Sequence, residues 1–316
     1  MSSTGLKAVI TGGTSGIGLH TLKRLCRSGS FDHIIGIGRD GEKIRLAEEN
    51  LRSELPASDT KVDFLQCDFA RPAAVRSLAA DIRELVPRID VLVNNAGIME
   101  HPPAFTEDGV EIHFAVNHLS HFLLTTLLLD HMAEDGRVIN ITSGFYKKFA
   151  EIPCLQTVHE LSAPQFTPKE FYAQSKLANC LFTVALHNHV QQSAAPLPKV
   201  KVVAVRPGFI RGTDLGRFHN PWLRWAACPL IWLFSQDLNF VRHEHNRPPR
   251  PCFVCLKSRA AACYYDQKLE EYYSELVTEE AAEQLWNLSE SLLQNKIQRT
   301  TRQRQRSNDT TITDAE

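Results

Sequence analysis

The sequence has no excess of charge of either sign: 35 Lys and Arg stand against 36 Asp and Glu, a formal net charge of -1 over 316 residues. That balance supplies no field strong enough to hold a polyanion, so nucleic acid is excluded as the main partner. The sequence also lacks an apolar run long enough to cross a bilayer. The longest candidate, WLRWAACPLIWLF from Trp222 to Phe234, is thirteen residues and is broken by Arg224 and Pro229, where a span needs about 20. It leaves two readings, a helix packed beside a substrate entrance or a segment lying in a membrane interface. No secretory leader is apparent, because MSSTGLK passes straight into AVI, and the eight cysteines are scattered along the chain. A reducing, cytoplasmic setting is expected, with peripheral membrane contact left open. No metal is expected either. His243, His245, Cys252 and Cys255 are ligand types for zinc, but there is one C-x-x-C, no second pair, and prolines that prevent a regular knuckle.

What is present is a rhythm. Short β-branched runs, AVIT, HIIGIG, VDFLQC, VLVNN, RVINIT and KVVAV, alternate with helix-length amphipathic stretches. The runs are apolar on both faces, as strands of a parallel sheet covered by helices on each side must be. This predicts a doubly wound, mainly parallel α/β fold in a single domain, 1–296. The rhythm fails from Gln236 to Arg259, where three prolines and two basic clusters interrupt any period. An irregular segment is expected there, then a last strand at CYYD, a helix from Thr278 to Leu293, and a disordered polar tail over 297–316.

Three local patterns carry chemistry. TGGTSGIG, Thr11 to Gly18, follows the first strand and precedes a helix. Glycines at 12, 16 and 18 let the turn tighten, let backbone approach a pyrophosphate and let the helix pack closely, while the helix N-terminus offers donors and a positive dipole end. At the end of the second strand stands Arg39, where such folds often place an acid on the adenosine ribose diol. A guanidinium there favours a 2′-phosphate, hence NADP(H), and the neighbouring Asp40 keeps NAD(H) open. Finally, FYAQSKLANCLF sets Tyr172 and Lys176 one helical turn apart. A phenol with its reference pKa of about 10 exchanges protons poorly near neutrality. An ammonium one turn away, with a cationic nicotinamide, favours the phenolate and lowers that value.

The motifs TGGTSGIG, CDF (Cys67 to Phe69), NNAG (Asn94 to Gly97), VNHLSHF (Val116 to Phe122), INITS ending at Ser143, YAQSK and RPGFIRGTDL occur in this order. The series resembles the short-chain dehydrogenase/reductase superfamily, with its Rossmann-type fold. VNHLSHFLLT and YAQSKLAN are most similar to its retinol-dehydrogenase-like branch. The resemblance implies a catalytic tetrad of Asn117, Ser143, Tyr172 and Lys176. Tyr172 would exchange a proton with the substrate oxygen and Ser143 would hydrogen-bond it, while Lys176 would also hold the nicotinamide ribose and Asn117 would support a water chain. Cofactor-binding roles follow for Gly12, Thr14, Ser15, Gly16, Ile17 and Gly18. Asp68 and Phe69 are implied near the adenine, Asn95, Ala96 and Gly97 along the ribose, and Pro207, Gly208, Ile210 and Thr213 around the nicotinamide amide and phosphates. Asn95 has a second reading as a stitch between strands.

Phe145, Tyr146, Met99 and Trp222 are the candidates for a substrate lining, with His101 of similar standing; Phe145 and Tyr146 could equally be core. Such a lining suits a lipophilic alcohol/carbonyl pair of the retinoid, steroid or fatty aldehyde type. The family places another helix where 236–259 is irregular. That departure leaves a catalytically weak NADPH-binding regulator or scaffold as the alternative, and leaves a homodimer open.

Overall fold

The computed structural model describes residues 5–55, 58–99, 104–149, 167–193, 195–207, 262–265, 268–270 and 275–294. The six β-branched runs form strands β1 (Leu6–Thr11), β2 (Phe31–Gly38), β3 (Lys61–Gln66), β4 (Ile89–Asn94), β5 (Met132–Ile141) and β6 (Lys201–Arg206). The expected last strand is β7 (Ala262–Tyr265), and a short β8 (Lys268–Glu270), not anticipated from the sequence, turns back against it. The sheet order is β3-β2-β1-β4-β5-β6-β7-β8, parallel throughout except for the antiparallel β7–β8 pair.

Helices α1 (Gly16–Arg27), α2 (Gly41–Glu54), α3 (Pro72–Leu85), α4 (Ile112–His131) and α5 (Pro168–Gln192) connect the strands, and a last helix, α6, covers 279–294. Successive strand residues alternate between two apolar layers, the geometric reason that both faces of each run are hydrophobic. On β1, Val9 joins the cluster under α3, α4, α5 and α6, whereas Ala8 and Ile10 join the opposite cluster with Leu22 and Leu25 of α1. This is the doubly wound arrangement expected from the sequence.

Helix starts follow the side chains available. Thr167 and Glu170 form a reciprocal capping box at α5, followed by Pro168 in the first turn. Thr278 Oγ1 accepts from Ala281 N at 3.1 Å to begin α6. Helix α6 buries Ala282, Leu285, Trp286, Leu292 and Leu293 in the α4–α5 layer. The Trp286 ring meets Phe122 at 4.8 Å between centroids and stacks on His189 at 3.8 Å.

The expectation that no run is long enough to cross a membrane is corrected: among the described residues one helix, α4, is long and apolar enough, although 83% of its most apolar window is buried inside the fold. Its apolarity is explained by the core. The buried Asn140 of the Asn-Ile-Thr sequence joins strands and helices instead of facing water: Asn94 Nδ2 donates to Asn140 Oδ1 at 2.8 Å, and Asn140 Nδ2 donates to Thr183 Oγ1 at 3.0 Å. Trp222, the membrane-facing candidate 222–234, the irregular segment 236–259 with His243, His245, Cys252 and Cys255, and 297–316 lie outside the described residues.

Candidate active site

The carboxyl ends of the parallel strands gather the chemistry-bearing loops, as open α/β sheets do. After β1 the chain turns at Gly12 with φ +67, a left-handed conformation that a side chain resists. The helix that follows comes so close that a Cβ on Gly18 would lie 2.1 Å from the Gly12 carbonyl oxygen. Gly18→Ala should therefore push α1 off the turn. Cofactor affinity should fall by an order of magnitude or more, a loss that titration with NADPH would read.

The N-terminus of α1 is open in a telling way. Ser15 occupies the capping position without a side-chain capping bond, and the first turn carries no acid. Its N–H groups and hydroxyl are the donors that a pyrophosphate needs. Thr14 packs against Gly38 at the end of β2, where a Cβ would meet Thr14 Cγ2 at 2.5 Å. Ile17 is half-buried in the first turn of α1. These residues fit a bound dinucleotide.

The pair at the end of β2 divides its labour. Asp40 caps α2, with Oδ1 accepting from Glu42 N at 2.9 Å and Lys43 N at 3.1 Å. Arg39 is exposed beside it. Asp68 is half-buried and its Oδ1 accepts from Ala70 N at 3.0 Å, so it also shapes a turn. The Phe69 ring is buried against His121, 5.3 Å between centroids, and its carbonyl oxygen accepts from Ser120 Oγ. Asn95 binds β1 to the β4 tail: its Nδ2 donates to Thr11 O at 2.8 Å and approaches Gly12 O at 3.4 Å. The strand-stitching reading of Asn95 is thus visible in its hydrogen bonds. Ala96 and Gly97 continue the same tail, half-buried.

Tyr172 and Lys176 lie on the second and third turns of α5, both buried, with Nζ 5.6 Å from the phenol ring centroid. Lys176 Nζ donates to Ile141 O at 3.2 Å, and a Cβ on Gly97 would come within 3.3 Å of both Nζ and Asn117 Oδ1. Ser143, half-buried after β5, hydrogen-bonds Tyr172 through its side chain. Asn117 sits in a π-turn, Ala115–Leu119, inside α4. Its side chain is fully used: Oδ1 accepts from Ile98 N at 2.7 Å, and Nδ2 reaches Ile98 O at 3.0 Å and Ser175 Oγ at 2.9 Å. The four tetrad positions are therefore brought to one place.

Burial dominates the electrostatics of the tyrosine–lysine pair. Burial pushes the Tyr172 phenol up to about 12, with the Ser143 hydrogen bond offsetting part of the rise. Burial likewise pulls the Lys176 ammonium down to about 8. Desolvation disfavours each charged form and outweighs any mutual help, so the phenol of this chain keeps its proton at neutral pH.

Of the lining candidates, Phe145 meets the Tyr172 ring edge-on at 5.9 Å and stays at the site. Tyr146 turns inward, buried and hydrogen-bonded to Cys180, so it belongs to the core. Met99 is half-buried on the β4 tail, and Pro207 is half-buried just past β6. Gly208, Ile210, Thr213 and His101 lie outside the described residues. Two contributors had gone unnoticed, Thr11 and Ser175. Thr11 Oγ1 accepts from Asn95 N and Ala96 N, each at 2.8 Å. A polar residue closing an otherwise apolar buried strand, and a serine inside YAQSK, were the available signals. Among the described residues no group of three or more His, Cys, Asp or Glu could hold a metal ion.

The short-chain dehydrogenase profile matches residues 7–151. Retinol dehydrogenase 14 of Mus musculus is 32% identical over 302 residues, covering 92% of this chain and 86% of that protein. Retinol dehydrogenase 13 of Homo sapiens is 39% identical over 241 residues, covering 74% and 68%, and polyprenol dehydrogenase of Homo sapiens is 37% identical over 234 residues, covering 72% and 67%. Among solved structures, an uncharacterised protein from Mycobacterium paratuberculosis superposes with a TM-score of 0.65 at 26% identity, covering 91% of this chain and 92% of that one. A blue fluorescent protein from a metagenomic library, in complex with NADPH, does so with a TM-score of 0.53 at 26% identity, covering 70% and 81%. Fold and sequence together define an oxidoreductase with a nicotinamide-binding sheet. The chain belongs to the short-chain dehydrogenase/reductase family, in its retinol-dehydrogenase-like branch.

Proposed function

We propose that this chain is an NADP(H)-dependent oxidoreductase for a lipophilic alcohol/carbonyl pair, with Tyr172 as its proton donor and acceptor. The observation that carries this reading is the convergence of Tyr172, Ser143, Lys176 and Asn117 at the carboxyl edge of the sheet, beside the glycine-rich turn. The dinucleotide, when bound, supplies the hydride and, once oxidised, a positive charge.

The turn from Gly12 to Gly18 and the open start of α1 would hold its pyrophosphate. Tyr172, protonated at neutral pH, hands its proton to the oxygen of a carbonyl being reduced. Ser143 hydrogen-bonds the same oxygen and holds it against the phenol. Lys176 steadies the phenolate that remains. In the oxidative direction the phenolate takes the alcohol proton back.

NADP(H) is favoured because Asp40 is engaged at the α2 cap while the Arg39 guanidinium is exposed at the end of β2. Arg39→Asp should raise the KM for NADPH by about tenfold or more, the scale of losing a charge-assisted bond to phosphate, and should spare NADH. Equal losses with the two cofactors would remove Arg39 from the phosphate site. The substrate class draws support from the names of the retinol and polyprenol dehydrogenases and from the apolar edge that Phe145 presents to Tyr172.

The test is a panel of retinoid, polyprenyl and steroid carbonyls followed by NADPH absorbance. Oxidation with a long-chain carbonyl is expected. NADPH binding without oxidation by any of them would overturn the enzyme reading.

A further inference from the structure

His121 is buried on α4, one turn beyond Asn117, where it feels the charge of Lys176. Its two ring nitrogens are both spoken for. Nδ1 lies 3.0 Å from the carbonyl oxygen of Asn117, and Nε2 lies 2.8 Å from Thr11 Oγ1. A carbonyl oxygen can only accept, so Nδ1 carries the hydrogen. In the neutral ring Nε2 is then an acceptor.

Thr11 supplies the matching donor. Its oxygen already accepts the N–H groups of Asn95 and Ala96, so its single hydrogen is the group left to give. The competing acceptor, Val93 O, is farther away at 3.3 Å. Burial holds the imidazole neutral, its pKa pulled down to about 4. Each partner in this chain thus has one role: the β4-tail amides donate to Thr11, Thr11 donates to His121, and His121 donates to the Asn117 carbonyl.

The chain closes on the site from the other side. Asn117 holds Ile98 and Ser175, and Ser175 Oγ donates to Tyr172 O at 2.7 Å. One imidazole therefore joins the end of β1, from which the glycine-rich turn departs, to the turn of α5 that carries the phenol.

We propose that His121, as the neutral Nδ1–H tautomer, is a positioning residue for this oxidoreductase, its Nε2 arm fixing Thr11 and the glycine-rich turn and its Nδ1 arm fixing Asn117. The assignment of effects on turnover and on NADPH affinity rests on the function proposed above; the assignment of the tautomer does not.

The two arms can be cut separately. An asparagine amide can stand where Nδ1–H stands, and a glutamine carbonyl can reach where Nε2 stands. His121→Leu, which keeps bulk and removes both arms, should lower kcat by about 100-fold, the scale of a small misplacement of catalytic groups, and should also weaken NADPH binding. His121→Asn should recover most of kcat but not the NADPH Kd. His121→Gln should recover the Kd but not kcat. A side chain with a merely structural role would lower both in step with thermal stability, and that pattern in all three variants would overturn the proposal.

Imidazole nitrogen NMR of the wild-type chain at pH 7 decides independently of any variant that fails to fold. An Nε2–H tautomer or a charged ring at His121 would overturn the assignment. If the wild type binds NADPH yet reduces nothing in the carbonyl panel, the proposed function fails, and the NMR tautomer still decides on His121.

Discussion

Tyr172→Phe should lower carbonyl reduction by about 1,000-fold, within the range that general acid catalysis contributes, while NADPH affinity stays within about twofold of wild type. The substitution removes one oxygen from a ring that is buried edge-on against Phe145, and a phenylalanine fills the same space. The hydrogen bond from Ser143 is lost, a change of about 1 kcal/mol in stability, so the variant should fold and bind. Steady-state turnover alongside a fluorescence titration of NADPH would separate chemistry from binding. Unchanged turnover would remove Tyr172 as the donor.

The pH profile extends the same argument. Lys176 is charged below about 8 and neutral above it. Its charge favours release of the Tyr172 proton, so the reductive rate should fall as pH rises through that value. The phenol itself, pushed up to about 12, contributes no loss of its proton in that window. Lys176→Arg, whose charge persists, should flatten the fall even if its absolute rate is lower.

Trp286→Ala should destabilise the protein by about 3–5 kcal/mol, the usual cost of emptying a large aromatic site in a core. The indole lies against Phe122 and Phe182 and stacks on His189 with a 12° angle between rings. For a domain of this size a loss on that scale lowers the melting temperature by about 10 °C. The same helix carries Ser289, whose Oγ lies 3.0 Å from His118 Nε2, next to Asn117 in the π-turn. Loosening α6 should thus disturb the site as well as the core, visible as a drop in kcat at temperatures well below the transition. A variant with wild-type stability would mean that α6 is not seated on α4 and α5.

The residues that announced the fold were those whose message is local. β-branched runs apolar on both faces specified the covered parallel strands, and TGGTSGIG specified a turn before a helix, because backbone freedom at Gly12 and close packing at Gly18 are properties of those residues themselves. Arg39 and Asp40 pointed to different cofactors in the sequence, and only the path of the backbone into α2 shows the aspartate engaged as a helix cap. Phe145 and Tyr146 are neighbours of similar character, and only the path of the chain after Ser143 sends one to the site and the other to the core.

Other features depend on packing between distant segments. The π-turn around Asn117 has no local signature, and the contact of His118 with Ser289 spans 171 positions. The motif shows an adjacent ammonium but not the depth at which both groups lie, so the burial that raises the Tyr172 phenol was not legible in it. Antiparallel β8 was missed because three residues, KLE, carry too short a pattern to read.

The order of the sheet places β4 beside β1, and the layer beneath it is sealed by a helix drawn from 279–294. During synthesis, the earlier strands can associate while that layer still shows Phe122 and Phe182 to the surroundings. Protection must await translation of 279–294, and pairing over such separations is slow because distant segments must first find one another. A growing chain of this protein therefore carries a transient apolar face until 279–294 has emerged.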